Sequence, residues 1–156
     1  DWSSDVCSSD LDWKNGTQPY IRQFENYVGI LLGYQPEACD QRGICGIQNV
    51  VEADGSVYPC DFYMLDEYRL GNFNANQMEE INAKRKEIGF IERSLQLKES
   101  CKSCPYFTIC RGGCQRNRDY DQVSGMYENY FCKSYEMFFD ACLPKMKEMA
   151  ETLKRR

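Results

Sequence analysis

The stretch CKSCPYFTICRGGC, residues 101–114, places four thiols within fourteen positions. The chain has ten cysteines and no histidine. Cys/His zinc fingers, histidine-based triads and imidazole metal ligation are therefore excluded together. Chemistry must come from thiolates, carboxylates, tyrosines and backbone. The other cysteines are spaced as Cys39-x5-Cys45-x14-Cys60, then a gap of forty residues to Cys101-x2-Cys104-x5-Cys110-x3-Cys114, then Cys132 after seventeen more. Cys7 lies in a polar terminus and Cys142 on the apolar face of a predicted helix. Setting those two aside leaves eight, or two sets of four. Three chemistries use thiols in this way. Disulfide scaffolds belong to small secreted domains, and this sequence shows helices with ordinary apolar faces. Tetrathiolate zinc usually closes with two Cys-x2-Cys pairs, and only Cys101-x2-Cys104 is present. Two cubane iron–sulfur clusters would each take four thiolates, with three close in sequence and a remote fourth that can serve a neighbouring cluster.

Two features of the dense loop suit clusters. Gly112 and Gly113 lack Cβ atoms, so the backbone there can approach closely and point amides at sulfur. Tyr106 and Phe107 are placed to exclude water. Each has a plainer reading, as a tight turn and as ordinary core.

The elements that must position these thiols are short. Ile21, Phe24, Val28 and Leu31 predict a helix over 18–32 that stops at Gly33. Asp54-Gly55, between β-rich runs, predicts a two-residue hairpin with strands at 48–53 and 56–60, from which Cys60 emerges. Asn76 with Glu79 resembles a capping box for a helix over 76–88, with Met78, Ile81 and Ile88 as its stripe. The segment 101–114 is expected to be irregular. A last helix is predicted over 132–153, burying Tyr135, Phe138, Phe139, Cys142, Met146 and Met149, with Pro144 as a candidate kink. The LKRR tail puts cations where the helix dipole favours them. The fold class expected is α+β: a small, irregular metal-cluster domain with one β-hairpin, cluster-binding loops and flanking helices.

Bulk properties narrow the functions. The 156 residues suffice for one domain with a modest core, and the formal charge is −5. No basic footprint for nucleic acid is present. No apolar run approaches the roughly 20 residues of a membrane helix. The start, DWSSDVCSSDL, has neither the basic nor the apolar region of a secretory signal, so a cytoplasmic protein is expected. SSD occurs twice there, and a frame through a sequencing adaptor encodes CSSDL, so residues 1–11 are read as non-native or disordered.

At this point a family pattern is visible. Cys45-x9-Gly55-x4-Cys60, Cys101-x2-Cys104-x5-Cys110-x3-Cys114 and Cys132 resemble the SPASM domain of radical S-adenosylmethionine enzymes. Cys39 and the Cys60-Asp61 step, with VYPCD and EYRLGN, are similar more narrowly to anaerobic sulfatase-maturating enzymes. The resemblance covers about residues 18–150. It implies two [4Fe–4S] clusters with interleaved ligands: Cys39, Cys45, Cys60 and Cys114 for one, and Cys101, Cys104, Cys110 and Cys132 for the other. It also implies oxidation of a cysteine or serine in an unfolded sulfatase segment to Cα-formylglycine. A 5′-deoxyadenosyl radical takes a hydrogen from the substrate Cβ, and Asp61 matches the carboxylate that takes the thiol or hydroxyl proton. A carboxylate suits that task only if burial or neighbours tune it. The auxiliary clusters would carry an electron away or stabilise the fold.

One departure matters. Cleavage of S-adenosylmethionine needs Cys-x3-Cys-x2-Cys, and Cys110-x3-Cys114 is followed by Asn117 where the third cysteine would stand. The expectation is a piece of a longer enzyme, with S-adenosylmethionine and a third cluster in a missing barrel, and without radical chemistry of its own. The divisions expected are residues 12–38 as a linking helix, 39–132 as the SPASM domain and 133–156 as a C-terminal helix. The rival is a zinc-binding structural or protein-interaction module with no redox role.

Overall fold

Apolar spacing of 3.6 residues near both ends of the chain produces the two helices that build the larger core. The computed structural model describes residues 12–17 and 20–155. The reading of residues 1–11, Cys7 included, falls outside them. The described chain divides into two units: one runs up to Gly43 and resumes at Leu97, and the other is Ile44–Gln96.

In the first unit, helix α1 (Arg22–Leu31) packs on the long helix that closes the chain, Cys132–Lys154. Phe24, Tyr27 and Val28 meet Phe139, Cys142, Met146 and Ala150 in one buried cluster with Ile109. The closing helix thus buries positions 139, 142, 146 and 150, spaced by three or four residues as one helical face requires. Met149, expected in that face, is only partly buried. Helix α1 stops as predicted: Gly33 is left-handed at φ 88°, and Tyr34 N donates to Gly29 O. Buried Asn26 then accepts Glu37 N at 2.8 Å, steering the chain into the short helix α2 (Cys39–Arg42).

The second unit holds a three-stranded antiparallel sheet in the order β1 (Val50–Val51), β2 (Ser56–Tyr58), β3 (Gly71–Asn72). Val50 faces Tyr58 and Val51 faces Val57. The hairpin is where the sequence places it, but its loop has three residues, 53–55, rather than two. Glu52 N bonds Ser56 O and Gly55 N bonds Glu52 O, with Gly55 left-handed at φ 85°. That is a turn followed by one left-handed residue, the next commonest hairpin closure. The Asp54 carboxylate favours it by accepting both Ser56 N and Ser56 Oγ. Helix α3 (Met78–Glu87) begins one residue later than the expected cap: Gln77 N, not Asn76, is capped, by Glu80 Oε2 at 2.8 Å. Ile81 is fully buried with Val57 and Leu70, but Met78 is exposed. Arg85 takes the inner position instead, donating from its guanidinium to Asn49 Oδ1.

The α+β class holds, with one hairpin more than expected. Strands β4 (Arg118–Asp121) and β5 (Met126–Asn129) pair with Arg118 opposite Asn129 and Asp121 opposite Met126. The expectation of irregular structure over 101–114 is also corrected. Helices α5 (Glu99–Lys102) and α6 (Phe107–Cys110) form there, because single helical turns need few residues between thiols. Helix α4 (Phe90–Arg93) lies in the second unit, and the closing helix is α7.

Candidate metal centre

Cys101, Cys104, Cys110 and Cys132 converge on one cavity of about 110 Å³. Cys101 sits on α5, Cys104 on the turn after it, Cys110 ends α6 and Cys132 opens α7. Tyr106, Phe107 and Phe139 line the same cavity, and Tyr106 also packs against the hydrophobic core, as its plainer reading has it. All four thiols are half-buried, and none of the nine described cysteines is in a disulfide. Among the described residues, no three cysteine or carboxylate side chains are arranged to hold a single ion. The four cysteines share the lining of that cavity.

The loop joining Cys110 to Cys114 is held from outside. Arg111, Gly112 and Gly113 are all left-handed, at φ 50°, 80° and 61°. A Cβ on Gly112 would lie 2.8 Å from Leu97 Cδ2, and one on Gly113 would lie 2.5 Å from Asn129 Nδ2. Buried Arg118 donates from Nε to Gly112 O at 3.0 Å and from Nη2 to Gly113 O at 2.7 Å. Asn129 Nδ2 also donates to Gly112 O at 3.0 Å. The loop carbonyls therefore face the β4–β5 hairpin, while the Gly112 amide faces the Cys110 sulfur. Lys98 anchors the approach to Cys101, pairing with Asp121 at 3.0 Å and Glu128 at 2.6 Å.

Burial pushes the Cys110 thiol up to about 11, against the opposing pull of the Gly112 amide. Burial also raises Cys101, with Cys132 facing it, and Cys132, beside Glu136 and Glu128. Near neutral pH these thiols keep their protons until a cation replaces them, so metal binding here releases protons. Four cysteines lining one cavity, with the Gly112 amide bonded to the Cys110 sulfur, fit a sulfur-ligated group.

Of the other four expected ligands, Cys39 and Cys114 lie in the first unit. Cys39 is among the groups raising the Cys114 thiol, after burial and against a bond from the Arg116 amide. Cys45 and Cys60 lie in the second unit, where Ser94 Oγ accepts Cys45 N at 3.0 Å. The Cys60 thiol donates to Asp61 Oδ1 at 3.2 Å. Asp61 is exposed and opens the helical turn Asp61–Tyr63. That turn is clamped at its far end: Tyr63, Tyr68 and Phe90 pack edge to face, and Arg93 lies 5.1–5.9 Å from all three ring centroids. Cys142 is buried core, 2% exposed. Arg118 and Asn129, which hold the loop, escaped the sequence reading. Their only trace there is strand-like alternation on either side of Ser124-Gly125.

Comparison with known proteins agrees with this geometry. Residues 44–105 match SPASM, described as an iron–sulfur cluster-binding domain. A cysteine-type anaerobic sulfatase-maturating enzyme of Clostridium perfringens is 41% identical over 92% of this chain, which spans 39% of that protein. A serine-type anaerobic sulfatase-maturating enzyme of Bacteroides thetaiotaomicron is 30% identical over 97% of the chain and 38% of its own length. The solved structure of native anSMEcpe with bound AdoMet and Cp18Cys peptide superposes with a TM-score of 0.87 at 40% identity, covering 97% of this chain and 42% of that one. The chain thus spans about two fifths of the length of the curated relatives it matches. Over residues 44–105 it is similar to the SPASM iron–sulfur domain, and over nearly its whole length it is similar to one part of the anaerobic sulfatase-maturating enzymes.

Proposed function

We propose that the chain holds two [4Fe–4S] clusters and serves a longer radical S-adenosylmethionine enzyme that oxidises a peptide cysteine or serine to Cα-formylglycine. One cluster takes Cys101, Cys104, Cys110 and Cys132, and the other takes Cys39, Cys45, Cys60 and Cys114. The observation that carries the reading is the convergence of four cysteines on the lining of one cavity, with the Gly112 amide turned to the Cys110 sulfur. The match of residues 44–105 to an iron–sulfur cluster-binding domain supports a cluster over zinc at these cysteines.

The oxidation removes a hydrogen atom from Cβ, a proton from the thiol or hydroxyl, and one electron. A C=S or C=O bond forms, and water converts the thioaldehyde to the aldehyde with release of hydrogen sulfide. Bound iron–sulfur clusters supply one-electron chemistry and so suit the departing electron. Asp61 is the candidate acceptor of the proton. It is exposed and stands on a turn clamped by Tyr63. The peptide substrate is inferred from the kinship and from the peptide carried by the solved relative.

Anaerobic reconstitution tests the reading. About eight irons per chain and a brown protein are expected from two four-iron clusters. A colourless protein with about two zincs would overturn it. In the full-length enzyme, Asp61→Asn should keep the iron and lose formylglycine formation.

A further inference from the structure

Resting on the two-quartet reading, we infer that Gly43 is a positioning residue that seats Cys39 against the loop carrying Cys114. Gly43 follows α2, four residues after Cys39, and is left-handed at φ 72°. A Cβ there would lie 2.5 Å from Arg111 O and 2.6 Å from Arg111 Cβ. Neither atom is the end of a flexible side chain, so neither can swing aside.

Arg111 cannot retreat. Its amide donates to Phe107 O at 2.9 Å and its Nε to Thr108 O at 3.1 Å. The next two residues are held by Arg118 and Asn129 through their carbonyls. A side chain at 43 therefore displaces the lighter partner, the four-residue α2, whose first residue is Cys39. Arg111 lies between Cys110, of one quartet, and Cys114, of the other. The contact thus fixes Cys39 relative to Cys114 and leaves the quartet of Cys101, Cys104, Cys110 and Cys132 undisturbed. The role belongs to close approach as well as to backbone angle, and the two are separable. Asparagine tolerates the left-handed region but still carries a Cβ.

The test uses the full 156-residue chain, reconstituted anaerobically with ferrous iron and sulfide, as wild type, Gly43→Ala and Gly43→Asn. Iron is counted, and thiol alkylation is mapped by mass spectrometry. Wild type should hold about eight irons and both variants about four. In the variants, Cys39, Cys45, Cys60 and Cys114 should become alkylated while the other four stay protected. Full loading of Gly43→Asn would overturn the inference, because the glycine would then serve only its backbone angle. Equal alkylation of both quartets would overturn it as well. Loss of all iron from either variant would overturn it too, because the Cys101 quartet should stay loaded. A wild type that fails to reach about eight irons refutes the two-cluster reading itself, so the two failures are distinguishable.

Discussion

Arg118→Met examines whether the β4–β5 hairpin holds the thiol loop in shape. Arg118 is 8% exposed, so solvent screens its bonds little. It donates to Gly112 O and Gly113 O at 3.0 and 2.7 Å. Gly112 O keeps a donor in Asn129, but Gly113 O loses the short bond from Arg118. A hydrogen bond involving a charged group contributes about 1.5–3 kcal/mol. With one bond lost outright and one shared, the variant should be destabilised by about 3 kcal/mol, the methionine chain refilling part of the volume. Against a total of roughly 5–15 kcal/mol, that is a large fraction. Urea unfolding of the metal-free chain, followed by tryptophan and tyrosine fluorescence, should show a midpoint lower by about 1–2 M at unchanged slope. Without the clamp, Cys110 should also react faster with a thiol reagent, because its burial depends on the loop staying closed. A midpoint shift below about 0.3 M with unchanged Cys110 reactivity would refute the reasoning.

Phe139→Ala, at a side chain 1% exposed that packs against Tyr27, Tyr106, Tyr135 and Phe138, should cost about 3–5 kcal/mol by the same assay. Cys142→Ser should leave the iron count unchanged and lower stability by about 1–3 kcal/mol, since it puts a hydroxyl among apolar neighbours; loss of about four irons would make Cys142 a ligand instead. The Asp121 carboxyl is held down at about 2, first by Lys98 and then by the Val123 amide and Ser124 hydroxyl. Its folded value lies below its unfolded one, so its stabilisation is present above about pH 4 and is lost as pH falls toward about 2. Acid titration should therefore show a steeper loss of stability in that window for the wild type than for Asp121→Asn.

Some of this was legible because it depends on neighbours in sequence. The 3.6-residue spacing of Phe24 and Val28, and of Phe139, Cys142 and Met146, marked both core helices. Gly33 marked a stop, and Asp54-Gly55 marked a hairpin. Arg85 misled the reading of its helix, since a charged residue at an inner position breaks the apolar pattern on which periodicity relies. The capping site moved from Asn76 to Gln77 because Glu80, not Glu79, reaches back to the free amide. The turn at Asp54-Gly55 gained a residue because the Asp54 carboxylate stabilises the longer loop by bonding Ser56.

The eight thiols stood out in the sequence because cysteine is scarce and its spacing is countable. Identifying which thiols share a space is a different problem. Cys132 lies eighteen residues beyond Cys114, and the β4–β5 hairpin, tied to the loop through Asn129, returns the chain to the cavity of Cys101, Cys104 and Cys110. Arg118 and Asn129 left no mark as loop holders, because their partners are backbone carbonyls, which every residue has. Residue types and local periodicity set the chemistry available and the helices that would form. The folded chain decided which cysteines line one cavity, which amide faces the Cys110 sulfur and which glycine lets two segments touch, because those placements depend on backbone atoms and on residues far apart in sequence.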